Sequence, residues 1–188
     1  MTSSPTPRKD AARNRTKLLD AARDLFSQNG LNASLKEVAH HANVGVGTAY
    51  RHFPTKEDLV EALFAEQLKS EIERAQQAAE SDDAWAALVE YLEETLRQQA
   101  DNRGLRALMC PQGSVFKPVQ ACKAQINPHI EHLIDKAHQQ GTLRPDCTAR
   151  DITLAQIALV GIMDATTAEP DTYKRHLRFL LDGMRRSI

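Results

Sequence analysis

Apolar positions recur at helical spacing along almost the whole chain. Leu18, Ala21, Ala22, Leu25 and Phe26 fall on one face of a helix predicted over residues 10–28. Asn29-Gly30 ends it. Leu35, Val38, Ala39 and Ala42 then repeat at i, i+3, i+4, i+7, a second amphipathic helix. Ser34 stands at its start with Glu37 three residues on, the pattern of a capping box. Asn43 suits a left-handed or turn stop. Val44 returns to the core, and Ala49 and Phe53 lie four apart on the inner face of a third helix. Thr55, after Pro54, caps a long fourth helix that continues through Leu59, Leu63 and Leu68 to about residue 79. Glu57 and Asp58 suit its positive end.

The second half is also helical in period. Ser81-Asp82-Asp83 opens a fifth helix carrying Trp85, Leu88, Tyr91, Leu92 and Leu96. Asn102-Arg103-Gly104 is a break, and a short helix over 105–110 stops at Pro111. A seventh helix is strongest from His129 to Gln140 and is expected to be kinked or interrupted near Pro128. Thr148 caps an eighth helix to about Thr167, and Asp171 caps a ninth. No alternating strand pattern and no internal repeat occur, so the fold class is all-α.

The chemistry concentrates between Ser34 and Lys56. The third helix opens with Gly45 and Gly47, so a partner can approach its backbone closely. Its outer face is Val46, Gly47, Tyr50 and Arg51. Two short helices with a tight turn and little bulk at the second start are what a helix-turn-helix needs to enter a DNA major groove. Val46 and Thr48 suit contact with a thymine methyl, and Ser34 and the next backbone N–H groups suit a phosphate. With so little bulk on the third helix, Lys36, the N-terminal Arg residues or DNA shape carry much of the expected specificity.

The runs A-A-R-D-L-F ending at Gly30, S-L-K-E-V-A from Ser34, G-T-A-Y-R-H-F ending at Phe53 and K-E-D-L from Lys56 resemble the DNA-binding domain of TetR-family transcriptional regulators. The stretches R-G-L-R-A-L-M-C from Arg103 and Q-Q-G-T-L-R-P-D ending at Asp146 resemble the SbtR-like branch of that family. The resemblance implies an N-terminal three-helix DNA-binding domain over 10–54, after a disordered tail over 1–9. A ligand-binding and dimerisation domain follows over 55–188. It implies that Lys36 meets a base edge or phosphate, that Val46, Gly47 and Thr48 enter the groove, and that Tyr50, His52 and Lys56 contact phosphates. It also implies a homodimer on a palindromic double-stranded operator, released by a small-molecule effector, with the last two helices paired against their copies. Ile152, Leu159, Met163, Leu177, Leu180 and Met184 are the residues expected in that seam.

Charge agrees with this division. Up to Phe53 there are eight basic residues (Arg8, Lys9, Arg13, Arg15, Lys17, Arg23, Lys36, Arg51) against four acidic ones (Asp10, Asp20, Asp24, Glu37), although the whole chain carries −1. A basic head on an acidic body turns one end toward phosphates. No apolar run reaches the roughly 20 residues a membrane helix requires, and the N-terminus has no apolar signal segment, so a cytoplasmic location is expected.

A small-molecule pocket is expected among Trp85, Leu88, Tyr91, Leu92, Leu108, Met109, Phe116, Cys122, Ile126, His129 and Ile130. Pro111, Gly113, Pro118 and Pro128 interrupt close packing there, and Gln112, Gln125 and Asn127 interleave polar groups. No catalytic constellation can be read, and no cofactor is expected. Two alternatives stand beside a ligand-released repressor: a DNA-binding dimeric regulator without a small-molecule inducer, and a metal- or redox-sensing site at Cys122, His129 and His132, with Asp135 and His138 nearby. The sensing site is weakened because Cys122 lies two helical turns from His129 and Cys110 and Cys147 form no CxxC spacing with it.

Overall fold

The computed structural model describes residues 7–110 and 115–186. Its elements are α1 (Pro7–Asn29), a one-turn 3-10 helix (Gly30–Asn32), α2 (Leu35–His41), α3 (Val46–His52), α4 (Lys56–Glu80), α5 (Ala84–Asp101), α6 (Arg103–Met109), α7 (Lys117–Gln139), α8 (Ala149–Ala165) and α9 (Thr172–Met184). Apart from one isolated bridge between Leu143 and Arg185, no β pairing occurs among the described residues, and the fold is all-α as the periodicity predicts. Of the tail expected over 1–9, residues 1–6 lie outside the described residues; α1 begins at Pro7, earlier than residue 10. Proline suits a first helical turn, where its missing N–H is not needed.

Two compact units divide the chain, Met1–Glu66 and Gln67–Ile188. In the first, Leu18, Ala22, Phe26, Val38, Ala39, Ala49, Leu59 and Val60 are wholly buried. These are the inner-face positions of α1 to α4. The capping box is formed: the Ser34 N–H donates to the Glu37 carboxylate at 2.7 Å and the Glu37 N–H donates to Ser34 Oγ at 3.2 Å. Asn43 adopts φ 52°, the left-handed stop that ends α2. Thr55 and Asp58 form a second reciprocal pair at the start of α4, at 2.8 and 3.1 Å.

In the second unit α5 is central, packing on α6, α7, α8 and α9, with Leu88, Leu92 and Leu96 buried along it. Asp83, Asn102 and Thr148 cap α5, α6 and α8 through their side chains. Asp171 does not cap α9 in this way; its carboxylate pairs with Lys174 at 2.6 Å instead. Arg106 is buried and ties three helices together. It donates to the Gln99 carbonyl at 3.2 Å and meets Asp164 at 3.0 Å.

The interruption expected at Pro128 does not occur. α7 runs unbroken through it. Pro118 stands in the first turn of α7, where a missing N–H is tolerated, so it starts the helix rather than loosening it. Pro111, Gln112 and Gly113 lie outside the described residues.

Candidate DNA-contacting face and effector cavity

The expected DNA-contacting residues lie on α2, α3 and the start of α4. Lys36 is exposed on α2, and Gly47 and Tyr50 are exposed on α3, Tyr50 at 49%. Val46, Thr48 and His52 are half-buried. A methyl group at Gly47 would meet no atom within 4 Å, and one at Gly45 would make ordinary contact with Thr48 at 3.8 Å. Packing within the chain therefore does not require a glycine at either place. Glycine in a helix costs roughly 1 kcal/mol relative to alanine, and nothing in the chain's own packing at Gly47 offsets that cost.

Several of these side chains already have internal partners. Ser34 is engaged in its capping box, and its hydroxyl donates to Glu37 at 2.7 Å. Those hydrogen bonds hold the Glu37 carboxyl below its ordinary range. The His52 ring tilts against Phe53 at 6.4 Å between centroids. Lys56 is half-buried: its ammonium donates to the Leu31 carbonyl and lies 5.9 Å from the Phe26 ring centroid. Burial lowers its pKa, partly offset by Glu37. Lys56 thus ties α4 to the turn after α1, a role that the spacing alone does not reveal.

Arg51 is the basic residue on this face that the expected set omits. It is exposed on α3, and its guanidinium donates to Thr48 Oγ1 at 3.0 Å. Its position three residues after Thr48 carries the signal, since side chains at i and i+3 meet on a helix.

The second unit holds a cavity of about 470 Å³. Met109, Ile126, Ile130, Ile152, Ile157 and Val160 make its apolar wall, and Glu71, Tyr91, Thr95, Gln99 and Gln156 supply polar groups. Lys123, Asn127, Glu131 and Arg150 also line it. Of the eleven expected pocket residues, Tyr91, Met109, Ile126 and Ile130 line this cavity. Leu88, Leu92, Leu108, Phe116 and Cys122 are buried in the core instead. Trp85 is half-buried with Arg185 over its ring, and His129 is half-buried off the cavity wall. The expected site assumed a segment loosened near Pro128, whereas α7 is continuous there.

Glu71 is the residue that the periodicity concealed. It is 1% exposed, on a helix otherwise rich in exposed charge. Its carboxylate accepts from Arg74 at 2.8 Å and from the Thr95 hydroxyl at 3.1 Å. Burial and the neighbouring carboxylate of Glu71 push the Tyr91 phenol upward, so it stays protonated.

No three His, Cys, Asp or Glu side chains gather at metal-binding distance among the described residues. Cys122 donates to the Leu68 carbonyl at 3.5 Å, and burial raises its thiol to about 11. His132 is exposed, and the His138 ring meets the Arg144 carbonyl at 3.1 Å. The alternative sensing site therefore has no assembled cluster.

The residues expected in the dimer seam fall into two groups. Ile152, Leu159, Met163 and Leu177 are buried within the chain's own core at 5% exposure or less, while Leu180 and Met184 are half-buried. Other positions are open: Leu154 on α8 is 51% exposed and Phe179 on α9 is 56% exposed, and Ile157, which also lines the cavity, is 38% exposed. A helix that is apolar all round offers two faces, and only packing decides which one the chain keeps.

The amino-acid sequence matches two family models. Residues 18–63 match the bacterial regulatory proteins of the tetR family, and residues 83–186 match the C-terminal domain of SbtR-like transcriptional regulators. The HTH-type transcriptional regulator UidR of Escherichia coli K12 is 26% identical over 187 residues, spanning 93% of this chain and 94% of that protein. A solved TetR regulator, SCO0520 of Streptomyces coelicolor, is 28% identical, with a TM-score of 0.58 over 93% of this chain and 99% of the other. FadR of Bacillus subtilis, solved with stearoyl-CoA, shares the fold at a TM-score of 0.66 and 19% identity, over 90% of this chain and 98% of its own. The second model alone covers more than half of the sequence, and together the two span both structural units: the chain belongs to the TetR family of transcriptional regulators, with an SbtR-like C-terminal domain.

Proposed function

We propose that this regulator is a cytoplasmic repressor that binds a palindromic operator as a homodimer and is released by a small molecule. The observation that carries the reading is a pair of features. One unit presents an open helix-turn-helix face at Gly47, Thr48, Tyr50 and Arg51, and the other contains a cavity of about 470 Å³. That volume lies within the usual range for small-molecule sites. FadR of Bacillus subtilis, which has the same fold, was solved with stearoyl-CoA, which supports a ligand in such a body.

Lys36, Tyr50 and Arg51 face the duplex, with His52 and the Ser34 cap at the phosphates. Arg51, steadied by Thr48, is the side chain with the reach and donor geometry to read a base edge. Two copies meet through the open faces of α8 and α9 at Leu154, Ile157 and Phe179, and two-fold symmetry then matches the palindrome. An effector shifts the population toward a form with weaker operator affinity, and linkage requires operator to weaken effector binding equally.

The test is selection of bound fragments from genomic DNA, followed by anisotropy titration of the enriched site. A palindrome bound by two protomers supports the reading. Enrichment of unrelated fragments, or binding by one protomer, would remove it. A small-molecule screen by thermal shift then separates a ligand-responsive regulator from one whose body only dimerises, because a ligand stabilises the state it binds.

A further inference from the structure

The cavity's side chains specify a class of effector, an assignment that rests on the proposed role as a ligand-released regulator. The most deeply buried charged group in the cavity is the Glu71 carboxylate. Glu71 accepts one bond from Arg74 and one from Thr95, which leaves acceptor capacity, since an ionised carboxylate offers about four lone-pair sites. Arg74 also lies 4.0 Å from Glu94, so one guanidinium serves two carboxylates. Beside them on the cavity wall, Gln99 is 5% exposed. Its backbone carbonyl is taken by Arg106 at 3.2 Å, and its side-chain amide adds a polar group to the wall. Met109, Ile126 and Ile152 give the wall an apolar stretch, and Glu131 adds a second carboxylate to it.

A buried carboxylate with spare lone pairs favours a donor, and a positive one most strongly, because a hydrogen bond between charged groups is about twice as strong as a neutral one. The Gln99 amide on the same wall offers a carbonyl oxygen as a second acceptor for a polar head at that end of the ligand. We propose that the effector is an amine on an apolar body, its ammonium seated on Glu71 and Gln99 and its hydrocarbon part against Met109, Ile126 and Ile152. Lys123 and Arg150 also line the cavity, and they make the competing prediction, an anionic head.

Three probes of matched shape decide between them: para-butylbenzylamine, para-butylbenzyl alcohol and para-butylbenzoate, titrated calorimetrically into the full chain. The amine should bind about tenfold or more tightly than the alcohol, with the benzoate weakest. Glu71→Gln should remove the amine's advantage while leaving alcohol affinity within about twofold, and Arg150→Ala should leave the ranking unchanged. Benzoate binding at least as tightly as the amine overturns the proposal, as does the absence of binding by any probe. The wild-type ranking stands by itself if Glu71→Gln does not fold. Amine binding that leaves operator affinity unchanged keeps this site assignment and refutes the effector role, so the two failures are distinguishable.

Discussion

Replacing Lys56 by Ala separates two roles that one ammonium can play. Its ammonium donates to the Leu31 carbonyl and lies 5.9 Å from the Phe26 ring centroid, in a half-buried setting. A hydrogen bond from a charged group contributes about 1.5–3 kcal/mol. A partly exposed cation–π contact adds about 0.5–1 kcal/mol. Water still reaches the site, which places the expected loss near the lower end, about 2 kcal/mol. Denaturant unfolding of the wild type and of Lys56→Ala measures it as a shift in midpoint at constant slope. Operator titration across salt concentrations measures the other role. Removing one phosphate contact lowers the salt slope by about 1. The structure leads us to expect reduced stability of the first unit, weaker operator binding and an unchanged slope. Unaltered stability together with a slope lowered by about 1 would refute this and return Lys56 to the phosphate-binding set.

Gly47→Ala should raise the stability of the free protein by up to about 1 kcal/mol, since the added methyl meets nothing in the chain, yet weaken operator binding; stronger binding would show that DNA does not approach there. Arg51→Ala should leave stability within about 0.5 kcal/mol and cost about 1–3 kcal/mol of discrimination at one base pair in each half-site; uniform weakening across all sequences would make it a phosphate contact. Ile157→Asp and Phe179→Asp should give folded monomers by light scattering, whereas Leu159→Asp should unfold the chain because it buries a charge in the core; a dimeric, folded Ile157→Asp variant would move the seam elsewhere. Acid stability follows the carboxylates. Glu94 is held at about 2, against an ordinary 4.5, by hydrogen bonds from Arg97 and Gln98, and Glu37 and Asp151 are lowered by their caps. Their folded-state values lie below the unfolded ones, so their contribution is complete above about 4.5 and is lost as pH falls toward 2; unfolding midpoints that stay constant over that range would contradict the assignment.

The sequence alone determined the helices, because their signals are local. Apolar residues repeat at i, i+3, i+4 and i+7, and Ser34, Thr55, Asp83 and Thr148 stand where an exposed N–H needs an acceptor. The left-handed Asn43 and the glycine-opened α3 are equally local, as are the motif residues that identify the family. Tertiary structure decided which faces meet. Lys56 has many possible partners in sequence, and only folding brings the Leu31 carbonyl to it. Glu71 reads as one more charge on a solvated helix until α4 lays it against Thr95 of α5. Pro128 reads as a break, yet α7 passes through it; the cavity keeps the expected Tyr91 but is lined by Gln99 and Ile152 rather than Trp85 and Leu108. α8 is apolar on every side, so periodicity cannot assign Leu159 to the core and Ile157 to the surface. Local spacing fixes what a segment forms, whereas burial and partner choice depend on contacts between distant segments, which a single sequence does not encode position by position.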